Sequence, residues 1–184
     1  MARARAPRRG RPSLACGLAL LLGSLAPDAG QAQSSAGDAA AKAHFVVTLA
    51  RFVQWPPGTF ANDAGPLRLC VLHASAAVGQ AFAGYSGEVV AGHQIAIAAN
   101  PASTAGCELL FVDSSAPRTA PPAQPASAAM LTLGAVDGFA AHGGMVEIAN
   151  VNDQLRFDVN LKAVRQSQLQ LSSQVLRLAR QVLE

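Results

Sequence analysis

Apolar positions in residues 42–53 recur at helical spacing, with Phe45, Leu49, Phe52 and Val53 on one face. This predicts a helix that ends by Trp55, because Pro56 and Pro57 follow and the residue before a proline disfavours helical backbone. Residues 67–72 alternate and predict a strand; residues 76–85 predict a helix that ends at Gly84 or Gly87. Residues 93–98 predict a further strand. Residues 108–113 are almost continuously apolar, the pattern of a strand buried on both faces. Residues 114–129 hold Pro117, Pro121, Pro122 and Pro125 and read as a loop. Residues 130–133 predict a strand with a turn at Gly134. Residues 145–150 and 155–160 alternate around Asn150-Val151-Asn152-Asp153 and predict a β-hairpin. Leu171, Val175, Leu176, Leu178, Ala179, Val182 and Leu183 fall within about 160° of arc on a helical wheel, so the C-terminus is expected to be one amphipathic helix. Ser172 or Ser173 is placed to cap it. Strands alternating with helices predict a single-domain α/β sandwich with a mixed sheet flanked by helices, parallel in its first half and antiparallel at the hairpin.

The first 32 residues have a different character. Arg3, Arg5, Arg8, Arg9 and Arg11 form a basic head, residues 14–25 an apolar run, and small residues follow. Gly30 and Ala32 suit a cut before Gln33, with Pro27 and Ala29 offering a second. The run is short of the about 20 apolar residues that a bilayer requires. Residues 1–32 are therefore expected to be a cleaved secretory signal peptide, residues 33–41 a loose leader, and residues 42–184 one domain outside the cytoplasm. Export also changes the charge. The chain carries 14 Lys and Arg against 11 Asp and Glu; beyond residue 32 the balance is 9 against 10. The basic face that a nucleic acid would want is thus discarded. Outside the leader only Cys70 and Cys107 remain, and in an oxidising compartment an even pair most simply forms one disulfide.

Tests for chemistry find little. His44, His73, His93 and His142 show no HxH or HxxxH spacing. Cys70 and His73 have metal-like spacing, but residues three apart on a strand face opposite ways, so no metal site is expected. Gly84-Tyr85-Ser86-Gly87-Glu88 does not fit a hydrolase elbow. His142-Gly143-Gly144 lacks a nucleophile to serve, and Asp137, Glu147, Asp153 and Asp158 show no reason to pair. No phosphate loop or dinucleotide fingerprint is present. No catalytic residue and no cofactor are expected. Two features suggest a contact with a ligand or partner. Trp55 is the only tryptophan and precedes two prolines. The segment Gly138-Phe139-Ala140-Ala141-His142-Gly143-Gly144 places Phe139, Gly143 and Gly144 beside strand ends, where α/β domains often bind ligands.

Four segments together resemble a known family. HFVVTLARFVQWP (44–56) resembles its N-terminal helix ending F-V-x-W-P. GCELLFV (106–112) is similar to its C-x-x-L-F-I strand, and FAAHGGMVEI (139–148) to its GFA…GGMI segment. LRFDVNLKAVRQSQLQLSSQVLRLA (155–179) resembles its closing F-x-I-N…SS-x-LL-x-LA. The family is the YfiR-like periplasmic proteins, and the resemblance spans residues 42–184. It implies a periplasmic regulator without catalysis that binds and represses the periplasmic sensor domain of an inner-membrane diguanylate cyclase, or a sensor kinase. Cyclic-di-GMP output and biofilm formation would respond to envelope redox state, and a homodimer would be plausible. A periplasmic small-molecule-binding module is the alternative. Two departures stand out. Some members carry a second cysteine pair near the GGM strand, where this chain has Met145, so a redox switch would rest on Cys70 and Cys107. The family's glycine before L-x-I-SS is Gln168 here. A side chain at positive φ costs about 1 kcal/mol, which puts that turn in question.

Overall fold

A computed structural model describes residues 29–60, 65–117, 129–152 and 154–184, with side chains from residue 33 onward. The chain runs α1 (Ala29–Ala50), β1 (Val53–Gln54), β2 (Leu67–Leu72), α2 (Ala76–Ala83), β3 (Val89–Val90), β4 (His93–Ala99) and β5 (Leu109–Val112). It continues β6 (Leu131–Gly134), β7 (Val146–Val151), β8 (Gln154–Asn160), α3 (Leu161–Gln166), β9 (Gln170–Leu171), α4 (Ser173–Leu178) and β10 (Gln181–Leu183).

Eight strands form one sheet in the order β10-β8-β7-β6-β5-β2-β4-β3. β4, β2, β5, β6 and β7 are parallel, β7 and β8 form the expected antiparallel hairpin, and β3 adds antiparallel to β4. The mixed α/β sheet in one domain is thus as the pattern implied. β1 and β9 form a separate two-stranded ribbon, Val53 opposite Leu171.

Alternation along the strands divides the buried side chains between two faces. Leu67, Leu69, Val71, Leu109 and Phe111 belong to the main core; Cys70, Leu72 and Leu110 belong to a smaller cluster on the other face. Onto the main face α1 lays Ala43, Val46, Val47 and Ala50, and α2 lays Val78 and Phe82. Phe82 stacks on Phe111 with ring centroids 4.9 Å apart. α3 and α4 add Val164 and Val175 to the same core. Each buried Val or Phe among them contributes about 1.5–3 kcal/mol.

The structure corrects several expectations. The loose leader at 33–41 is helical and belongs to α1. Ala36, Ala39, Ala40 and Ala41 are strong helix formers, Ala39 is buried, and Asp38 pairs with Lys42 one turn on at 2.7 Å. α1 stops at Ala50, so Phe52 lies in a turn and is exposed rather than on the buried face. The single C-terminal helix is in fact β9, α4 and β10. β10 pairs in parallel with β8 and so satisfies a backbone edge that a helix would leave open. Leu178, expected on the packed face, is 74% exposed. The predicted cap is present: Ser172 Oγ accepts from Val175 N–H at 3.4 Å. α3 is an addition, started by Asn160, whose Oδ1 accepts from Ala163 N–H at 2.9 Å. Gln168 keeps the left-handed turn, with φ +58°. Residues 118–128 of the proline-rich loop, Asp153 of the hairpin turn and residues 1–28 of the predicted signal peptide lie outside the described residues.

One polar network ties the helices to the sheet. Asp113, just past β5, is reached by Lys42 Nζ from α1 at 3.4 Å. Ser115 donates to it through N–H at 2.9 Å and Oγ at 2.6 Å. The same hydroxyl accepts from Ala74 and Ser75 N–H, both at 3.1 Å, at the start of α2. Burial pushes the Asp113 carboxyl up, but the Ser115 hydrogen bonds and the Lys42 charge outweigh it and hold it below 3.8. Burial likewise lowers Lys42, but Asp38 and Asp113 hold it above 10.5.

Two outcomes follow for stability. A carboxyl depressed in the folded state contributes above its unfolded value and loses that contribution as pH falls through the folded one; the raised Lys42 loses its share as pH rises above 10.5. Asp113→Asn should cost about 2 kcal/mol in urea unfolding at pH 7 and flatten the acid limb of the stability curve below about pH 4; unchanged stability at pH 7 would show the network to be inert. Gln168→Gly should stabilise by about 0.5 kcal/mol, the relieved left-handed strain minus the added chain entropy of glycine.

Candidate functional site

β1 leads into Trp55-Pro56-Pro57-Gly58-Thr59-Phe60, and two prolines bar any helix there. The segment closes on itself as a hook. Thr59 donates to Pro56 O twice, through N–H at 3.3 Å and through Oγ at 2.8 Å. Gly58 sits at φ +84°, which a side chain would resist. Phe60 stacks on His93 with centroids 3.6 Å apart and planes 17° apart, and Trp55 meets Phe60 edge-on at 5.9 Å. His93 Nδ1 lies 2.7 Å from Gly65 O. A carbonyl only accepts, so Nδ1 is the donor in this hydrogen bond.

The hook bounds two cavities. One, of about 400 Å³, lies between Trp55, Pro57, Phe60, Ala91 and His93, with Val53 and Gln54 of β1 at its wall. The indole Nε1 of Trp55 is buried without a hydrogen-bond partner. The other, of about 310 Å³, lies across Pro56, Pro57 and Gly58 and is lined by Thr59, Gly106, Cys107, Glu108, Ala129 and Gln168. His93 opens β4, Glu108 precedes β5 and Ala129 precedes β6. The concave surface therefore covers the N-terminal ends of the parallel strands, opposite to where sheets of this class usually bind ligands.

The glycine-rich turn is built differently. Glu147 of β7 accepts from Gly138 N–H and Ala140 N–H, each at 3.1 Å, and so closes the turn from below. Asn160 Nδ2 donates to Ala140 O at 2.8 Å. Phe139 is buried, its ring held between Gly134 and Gly144. A Cβ on Gly134 would lie 2.3 Å from Phe139 Cδ2, and one on Gly144 would lie 2.2 Å from Cδ1. Phe139 and Gly144 thus pack against each other, and Gly143, at φ +98°, is the exposed member of the three predicted contacts. The turn does not join Trp55: β6 and β7 lie three and four strands from β4, roughly 15–20 Å across the sheet.

Cys70 and Cys107 are joined, with Cα atoms 5.9 Å apart. Both are buried in the smaller cluster with Leu72, Leu110 and Met130, and Cys107 also borders the second cavity. Carboxylates elsewhere are taken up by structure: Asp158 by Arg180, Glu88 by Arg51, and Glu108 by Arg68 N–H at 2.7 Å. His73 donates from Nδ1 to Ser75 O at 2.8 Å and packs over Gly79, where a Cβ would lie 2.7 Å from its Cε1. Among the described residues no three His, Cys, Asp or Glu side chains come together as a metal site. Sequence reasoning missed Phe60 and His93; the available signal was a second aromatic five residues after Trp55, on the far side of the Pro-Pro-Gly turn.

Both packing features can be tested directly. Gly144→Ala should destabilise by about 3 kcal/mol, since neither the Phe139 ring nor the backbone can yield 1 Å cheaply. Cys70→Ser combined with Cys107→Ser opens a 37-residue separation and should lower stability by about 4 kcal/mol. Denaturant midpoints of the two variants check this; a bridgeless protein as stable as the parent would contradict it.

No curated protein matches this chain. Residues 39–180, from within α1 through the end of α4, match a protein family described as YfiR/HmsC-like. That span holds strands β1 to β9, the Trp55 hook, the glycine-rich turn and both bridged cysteines. The chain belongs to the YfiR/HmsC-like family, whose members are regulatory rather than catalytic.

Proposed function

We propose that this chain is a non-catalytic periplasmic regulator, which binds the periplasmic sensor domain of an inner-membrane diguanylate cyclase and holds it inactive. On this reading residues 1–32 are removed on export, cyclic-di-GMP falls, and biofilm formation is restrained. The observation that carries it is family membership over residues 39–180. The geometry supports it in kind. The concave surface around Trp55 presents aromatic rings, prolines and backbone, which is the chemistry of contact. The ionic side chains Asp113, Asp158, Glu88 and Glu147 are engaged in holding the fold. A small-molecule-binding module is favoured by one feature, the cavity at Trp55, and the two readings are compatible.

Repression by contact needs a folded domain and no turnover. Deleting the gene should raise cyclic-di-GMP, measured by mass spectrometry of cell extracts, and only in cells that carry the cyclase. Alanine at the exposed His44 or His142 should leave repression intact. Opening the Cys70–Cys107 bridge should weaken it in proportion to the folded protein left in the periplasm, since about 4 kcal/mol is a large share of a typical 5–15 kcal/mol. Loss of repression in a stably folded His142→Ala protein would overturn the reading.

A further inference from the structure

Beyond residue 32 the chain carries 9 Lys and Arg against 10 Asp and Glu, but the two signs are not evenly spread. Residues 161–184 hold Lys162, Arg165, Arg177 and Arg180 against Glu184 alone, which leaves five basic and nine acidic residues for 33–160. Arg180 is taken up by Asp158. Lys162, Arg165 and Arg177 are exposed, and no carboxylate among the described residues pairs with them. Arg177 reaches only Ser173 of its own helix, at 3.3 and 3.4 Å. The fold brings the three to one end of the sheet. α3 follows β8, and α4 precedes β10, the edge strand beside it. Val164 of α3 and Val175 of α4 enter the same core, and α3 packs on β9 and β10, the strands at either end of α4. Exposed apolar residues mark both ends of α4. Leu178 closes it and is 74% exposed. Phe52, 39% exposed, is tied to its start by Ser172 N–H, which donates to Phe52 O at 3.1 Å.

We propose that this edge of the domain rests on an anionic phospholipid bilayer, with Lys162, Arg165 and Arg177 at the head-group phosphates and Leu178 and Phe52 entering the interface. Cations beside Phe and Leu are the combination that holds a peripheral element at a membrane surface. The charge sorting sets the orientation. A domain of near-zero net charge gains from an anionic surface only through its basic end, while the acidic remainder is repelled. The spacing of the apolar residues selects lipid over protein. Leu178 and Phe52 mark the two ends of a six-residue helix, about 9 Å long, with Ser173, Gln174 and Arg177 exposed between them. A protein partner wants a contiguous apolar centre within a polar rim, whereas a head-group layer accepts separate side chains, each entering between lipids. The contact sets the domain beside the bilayer in which its proposed target is embedded, and it stands or falls independently of that target.

Among the described residues the buried core begins at Ala39, so a chain from Gln33 to Glu184 keeps it and omits the arginines of the basic head. Mixed with vesicles of phosphatidylcholine and phosphatidylglycerol in equal parts, this chain should co-sediment at low salt and release as salt rises. Pure phosphatidylcholine vesicles should stay bare. Lys162→Gln with Arg165→Gln should lower the partition coefficient about twentyfold, at about fivefold for each cation near the surface. Leu178→Ser should lower it about threefold. Arg68→Gln, which removes an exposed charge on β2 at the far side of the sheet, should leave it unchanged. If the double variant melts early, Arg177→Gln alone should show the fivefold loss. Vesicles of the mixed lipids left bare at low salt would overturn the proposal, as would equal binding to phosphatidylcholine, or folded cation variants that partition like the parent. Bare vesicles together with retention of the chain on polyglutamate beads would assign the edge to an acidic protein instead.

Discussion

The central strands are apolar on both faces, yet among the described residues the four helices add their buried side chains to the core on only one of them. That asymmetry governs the rest. On the helical face, α1 and α2 bury the alternate positions of β2 and β5 through Val46, Val47, Val78 and Phe82. On the other face, Cys70, Leu72, Cys107, Leu110 and Met130 form a small cluster of their own, and a cluster of five side chains cannot match the larger core in hydrophobic stabilisation. The Cys70–Cys107 bond lies within it and ties β2 to the start of β5. A covalent link acts on the unfolded chain rather than through buried area, so it supports the face where burial is least. The Asp113–Ser115–Lys42 network does the corresponding work at the other end of β5. The oxidation state of one cysteine pair is thereby coupled to the integrity of the whole sheet.

The parallel strands and the hairpin were legible because they are stretches whose pattern admits one reading. Residues 108–113 are too apolar for a surface and too short for a helix, and residues 145–160 alternate around a turn. The C-terminus was misread because Leu171, Val175, Leu178 and Val182 satisfy a helical period in isolation. What decides between helix and strand there is the unpaired edge of β8, which no local pattern contains. α3 is six residues long, too short for a periodic signal to rise above its neighbours. The leader was misjudged for a related reason: its alanines are helical only because α1 is anchored further along by Val46 and Leu49.

The candidate site was half legible. Trp55 stands out as a lone tryptophan before two prolines, and the cysteine pair emerges from counting. Phe60 and His93 meet across 33 positions of sequence, and only tertiary structure brings them to one stack. The glycine-rich turn shows the reverse case. Its glycines look like a ligand cradle in sequence, but Gly134 and Gly144 are ten residues apart and hold the Phe139 ring between them. A glycine adjacent to a buried aromatic is as good an explanation as a glycine adjacent to a ligand, and only the distance to the ring distinguishes them.

What joins fold to function is a domain in which Asp113, Asp158, Glu88 and Glu147 are engaged internally and the concave aromatic surface is open. On the proposed reading such a molecule would act by occupancy, with one regulator restraining one target for as long as it stayed bound. The direct measurement is a titration of the purified, oxidised domain against the diguanylate cyclase proposed as its target, in vesicles, with the regulator on the face that bears the sensor domain. Cyclic-di-GMP synthesis should fall linearly to a fixed stoichiometric equivalence, independent of incubation time, and return when the regulator is washed away. Inhibition that deepens with time at substoichiometric regulator, or that survives its removal, would contradict the account.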